Sequence, residues 1–300
     1  MVIDKTFLHN SILSASPFRP EEWVIWIYVF GMPHVIGGMQ TFADTEYIKR
    51  YGWKLMRIMI ACLLLPILVW VVFGWQSLFV VFTLFIVYHT VAQQFGLTIV
   101  ALKKAPGFLF YVWKWTAVGV GVLLYLMIYS EPHPIAVVDN GLRGPFITVI
   151  EMLLVINILS AAALVWKNRT NKIGVLYLIA NASLILVDCF LFYMHYYFLM
   201  VIVGRIIHEF TAWPIYVVHD HNRNSVDTKN WIFSMFDRLI PPAIMSLIFA
   251  FSFGFALTFI ASKMPYFSLL VISLSFYHYY SEHFLWRRDG LLRKHVAFVV

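Results

Sequence analysis

The chain has 300 residues, is 61% hydrophobic and 18% aromatic, and carries only 12% charged residues. A water-soluble domain holds about 25% charge, so composition excludes a soluble globular protein. Runs such as LLLPILVWVVFG (63–74) and LIFAFSFGFALTFIAS (247–262) indicate an all-α, multi-pass integral membrane protein instead.

In chain order, residues 1–21 form a polar N-terminal segment without the basic start and short apolar run of a cleaved signal peptide. Nine spans follow, at 22–42, 55–74, 77–102, 106–130, 146–166, 173–193, 195–219, 240–262 and 264–286. Spans six and seven meet in a tight turn near Tyr193–Tyr197. A cytoplasmic loop covers 220–239, and a cytoplasmic tail covers 287–300. The whole chain reads as a single membrane domain.

Charge placement orients the spans. Sixteen of the 22 Lys and Arg residues follow odd-numbered spans; Lys5, Arg19, Arg143 and Lys263 lie on the other side, and Lys114 and Arg205 fall within spans. The N-terminus is therefore expected outside and the C-terminus in the cytoplasm. The net charge of +7 is a topology signal and a contact for anionic lipid headgroups, and it calls for no nucleic-acid partner. Cys62 and Cys189 sit in apolar runs and lack metal-type spacing.

Four of the 11 histidines lie deep in spans that all run from outside to inside: His34, His89, His208 and His278. At 1.5 Å per residue, each imidazole sits about 18–21 Å from its outer helix start. Ionisable groups in spans are costly and mark function. Imidazole is the commonest metal ligand and suits iron, copper and zinc. Four imidazoles in one layer therefore predict a shared metal site. Each taken singly also fits a packing histidine bonded across a helix interface.

The neighbours extend this set. His89 and Gln93 share a helix face, so Gln93 either orients a ligand or bonds a neighbouring helix. Arg205 and Glu209 flank His208 as an expected ion pair, and Pro214 is expected to kink that helix. Glu282, one turn after His278, either accepts a proton from a ligating imidazole, ligates directly, or pairs with Arg287 or Arg288. His283 reaches the same ion only if the helix end distorts. His219 and His221 read as a cap or a loop-level metal motif. Asp44 either supports a second metal or balances Lys49 and Arg50. Lys114 and Asp188 could pair. Gly37 and Gly38 would let a partner helix approach His34.

The order of these histidines resembles the bacterial β-carotene 15,15′-dioxygenases of the Brp/Blh type. Gly31-Met32-Pro33-His34 is similar to the family's Gly-x-Pro-His-Gly block. His89, His208 and His278 follow in the family's order with comparable gaps. Val35 stands where the family has glycine, and Tyr277 where it has proline. The resemblance implies a non-haem iron that uses O2, bound by the four histidines, in a bacterial inner-membrane protein. It does not imply β-carotene as substrate.

The expectation is a membrane-embedded, histidine-ligated non-haem iron oxygenase or oxidoreductase. Its substrate would be a lipophilic carotenoid, polyene or lipid-like molecule. Gln93, Glu282, Arg205, Glu209 and Asp44 would support the ligands. Copper or zinc would also suit these donors. The alternatives are a haem-binding electron carrier and a metal or proton transporter. The H-x-x-x-H and H-x-x-H-H boxes of membrane di-iron desaturases do not occur.

Overall fold

The computed structural model describes residues 4, 11–15, 20–129, 140–225, 227–235, 239–264, 266–285 and 290–296. His9, His133, Arg238, Arg287 and Arg288 lie outside them. The pairing expected of Glu282 with Arg287 or Arg288 therefore lies outside the described residues. The helices are α1 (Ser11–Ala15), α2 (Pro20–Gln40), α3 (Thr45–Leu102), α4 (Phe108–Tyr129), α5 (Asn140–Lys167), α6 (Lys172–Tyr193), α7 (Tyr197–Asn224), α8 (Trp231–Ser234), α9 (Pro242–Lys263), α10 (Phe267–Leu285) and α11 (Leu292–His295). Among the described residues no strand forms, and one isolated bridge joins Asp44 to Asn230. Among the described residues, six helices, α3 to α7 and α9, are long and apolar enough to cross a membrane. The protein is thus an all-helical chain of multi-pass membrane character.

Element boundaries differ from expectation in several places: α5 begins at Asn140 rather than 146, and the short α8 and α11 lie in the expected loop and tail. α3 covers both the second and third expected spans, broken at Gly74 (φ 85°, ψ 172°), a conformation essentially confined to glycine. α7 runs on through Pro214 to Asn224. His219, Asp220 and His221 therefore ride on helix rather than loop, five residues past the expected span end. Pro214 still removes one backbone hydrogen bond, but the helical assignment is unbroken there. The expected turn between spans six and seven is present, with His195 at φ 64°.

Contacts divide the chain into two compact units: residues 1–24, 86–205 and 300, and residues 25–85 and 206–299. In the first unit, polar side chains join helices where water is absent, each worth about 0.6–2 kcal/mol. Asn157 donates to the Trp113 carbonyl (2.8 Å) and to Thr116 (3.0 Å), and Asn181 donates to Thr98 (3.0 Å). Asn171 caps α6 by accepting from the Gly174 amide (2.9 Å) and donates to the Ala101 carbonyl (3.0 Å). Lys114 lies over the Tyr88 and Trp115 rings at 5.5 and 5.4 Å. The expected pairing with Asp188 is not made, and Asp188 Oδ1 is buried without a hydrogen-bond partner among the described residues.

In the second unit, glycine sets the helix spacing. A Cβ on Gly254 of α9 would lie 2.5 Å from the Pro33 nitrogen and 2.7 Å from its Cα. Backbone thus packs on backbone one residue before His34. On α10, Phe276 receives Phe82 and Phe85 edge-on at 5.9 and 4.9 Å. Beyond α2, a buried cluster of Ala43, Ile232, Phe233 and Met245 closes the end.

Candidate metal centre

Three of the four predicted histidines meet within the second unit. His34 comes from α2, His208 from α7 and His278 from α10, and all three are buried. The His34 ring lies edge-on to His208 (centroids 4.8 Å) and to His278 (4.6 Å). The Nε2 atoms of His34 and His278 are 3.0 Å apart. One ligand atom each from His34, His278 and Glu282 falls within 4.8 Å of the others.

Local geometry explains why these atoms converge. His278 and Glu282 are one turn apart on α10, with Nε2 and Oε2 at 3.9 Å, so the same face offers both donors. A Cβ on Gly38 would lie 2.6 Å from His278 Cε1 and 2.7 Å from Nδ1. Only glycine leaves room for that ring beside α2, as the sequence suggested for Gly37 and Gly38. Gly37 opens space for Trp213, whose ring would stand 3.0 Å from an added Cβ.

Two carboxylates flank the imidazoles. Glu209 Oε2 lies 3.3 Å from His34 Nδ1. The two groups are close enough for charge interaction when the ring is protonated. On the opposite side Tyr216 donates to Glu282 Oε1. Its ring is 5.4 Å from that of His34. Two ionised carboxylates inside an apolar bundle are costly unless protonated or matched by positive charge. A cation at the converging nitrogens and Glu282 would supply that charge.

The remaining predicted residues divide. His89, Gln93 and Arg205 belong to the first unit and are buried there. Neither polar atom of the Gln93 amide has a hydrogen-bond partner among the described residues. His221 and His283 are exposed. His219 has both ring nitrogens engaged, Nε2 with the Tyr47 hydroxyl (2.8 Å) and Nδ1 with Asp220 Oδ1 (2.9 Å).

Asp44 has a partner that the sequence reading did not name. It holds Arg223 in a two-point grip, Oδ2 to Nε at 2.9 Å and Oδ1 to Nη2 at 3.0 Å, rather than Lys49, Arg50 or a metal-ligand set. Arg223 also reaches Glu46 at 2.7 Å. Asp44 and Arg223 are 179 residues apart, so no local spacing signalled the pair.

Tyr216 is the site residue that sequence reasoning missed. It lies two turns after Glu209 on α7 and so shares its face; that spacing was the available signal. No protein-family model, curated protein or solved structure matches the chain.

Proposed function

We propose that the protein is a membrane-embedded non-haem iron oxidoreductase that uses O2 on a lipophilic substrate. The observation that carries this is the convergence of two imidazole nitrogens and one carboxylate oxygen, from His34, His278 and Glu282. Two histidines and one carboxylate with open positions are the donor set of iron(II) oxygenases. The same donors hold zinc in hydrolytic sites, but hydrolysis needs water that an apolar bundle excludes. O2 and lipophilic substrates both concentrate in hydrocarbon. A haem would have to place its flat ring between two axial imidazoles. Nitrogens 3.0 Å apart favour one small ion.

Bound iron would supply O2 activation through its open positions. The chain supplies the rest. Glu209 places a carboxylate beside His34, His208 packs against that ring, and burial keeps water out. His89 remains a proposed ligand on the strength of its depth in the sequence. The proposed topology is nine spans, with the N-terminus outside and the C-terminus cytoplasmic, in a bacterial inner membrane. That location follows from the family resemblance; the proposed substrate class, a carotenoid, another polyene or a lipid-like molecule, follows from the apolar surroundings of the site.

The test is oxygen uptake by iron(II)-loaded protein in micelles containing a carotenoid, another polyene or an unsaturated lipid. The expected result is uptake that disappears in His34→Ala and Glu282→Ala. A Soret band in the purified protein would overturn the reading in favour of haem. Proteoliposome transport that persists without bound metal would overturn it in favour of a carrier.

A further inference from the structure

We propose that Tyr216 is a positioning residue that holds Glu282 as a one-oxygen ligand and stays a phenol rather than ligating itself. This rests on the metal reading above and adds the coordination mode. Three observations carry it. Tyr216 donates to Oε1 of Glu282, whereas Oε2 is the oxygen that faces His278 Nε2 at 3.9 Å. The two oxygens are therefore divided, one for the phenol and one for the ion. Tyr216 and Glu282 are both buried, so no water competes for Oε1. The phenol also lies close against α2: a Cβ on Gly38 would stand 3.0 Å from its oxygen, so the glycine admits the hydroxyl at this position.

The division matters because a carboxylate that binds through both oxygens fills two positions on an ion. Held through one, it leaves a position open for an exogenous molecule. Partners that orient metal ligands typically change metal affinity by about 10–100-fold when removed. Tyr216→Phe keeps the ring and its packing and removes only the donor.

The experiment uses Co2+ as probe on the full chain in detergent, comparing wild type, Tyr216→Phe and His34→Ala. The expected result is tight Co2+ binding by wild type and binding weakened about 10–100-fold in Tyr216→Phe. The intensity of the cobalt d–d bands should also fall in that variant, as the freed Oε1 raises the coordination number. A merely structural role would shift melting temperature without changing the band pattern. Wild type that binds Co2+ beside a Tyr216→Phe variant with the same affinity and spectrum overturns this inference and leaves the metal reading standing. Wild type that binds no Co2+, or His34→Ala that binds it equally well, overturns the metal reading itself. A second measurement needs no variant. Fe3+-loaded wild type should lack the intense visible band of a tyrosinate-to-iron charge transfer, and its presence would make Tyr216 a ligand.

Discussion

The second unit holds two buried, histidine-containing polar clusters, and they are built on opposite plans. In the cap around His219, hydrogen bonds close into a network. Asp220 takes the Ser246 hydroxyl at 2.6 Å and the Gln40 amide at 2.9 Å, and the Asn230 amide donates to the Gln40 carbonyl at 2.8 Å. Both His219 nitrogens and the Arg223 fork are matched by protein groups. Around His34 two imidazoles meet nitrogen to nitrogen in a hydrogen bond of 3.0 Å, with the Glu282 carboxylate beside them, so three potential metal donors converge on one point. Matched groups hold helices together. Convergent lone pairs are what a metal requires. Burial alone, which the two clusters share, does not separate the roles.

The largest effect should come from exchanging histidines between the clusters. His278→Ala should reduce bound iron to background, while His219→Ala should leave stoichiometric iron in the protein that remains folded. Metal analysis after size-exclusion chromatography reads both. Iron lost equally from the two variants would erase the distinction drawn here.

Next in size is the buried ion pair. Breaking one partner strands a charge at a cost of about 3–5 kcal/mol, so Asp44→Ala should lower the melting temperature in detergent more than any other cap variant. Replacing Glu46, whose side chain is 45% exposed, should cost about 1 kcal/mol or less.

Gly254→Ala should cost about 1–3 kcal/mol, the usual penalty for overpacking, because the new methyl meets Pro33 backbone. The same push acts on the residue before His34, so metal affinity should fall along with stability. Gly144→Ala has open space around its Cβ and serves as the control.

The smallest effect concerns pH. His295 has its pKa lowered, first by burial and then by the neighbouring His219 and Arg223, against which Glu46 and Asp44 act in the raising direction. The folded tail thus binds its proton less readily than the unfolded chain. The contribution of His295 is complete above the ordinary histidine value of about 6.5 and is lost as pH falls through the lowered folded value. Protection factors for hydrogen exchange at Leu292–Val296, corrected for the intrinsic pH dependence of exchange, should fall on acidification, and His295→Gln should blunt that change.

What the sequence reveals about these clusters follows from what periodicity and charge encode. They report depth, so His34, His89, His208 and His278 could be assigned to one layer before any contact was known. They also report helix faces, which placed Glu282 with His278. They do not report which face of one helix meets which face of another. The approach of the Glu209 carboxylate to His34 Nδ1, across two helices, was therefore not foreseen. Asp44 was given to nearby lysine and arginine although its partner is Arg223. Tyr216 was overlooked because its two-turn spacing from Glu209 places it on the same face but does not show that its hydroxyl has a partner on α10. The extension of α7 to Asn224 escaped notice for a related reason: a polar HDHN run reads as loop unless tertiary contacts satisfy it.

The most direct test of the central claim is the metal content of the intact protein purified without added metal, read beside the same measurement on His34→Ala. The account predicts about one equivalent of iron per chain, lost in the variant while membrane insertion is retained. Less than about 0.2 equivalents of any transition metal in wild type, or iron retained in full by His34→Ala, would contradict it.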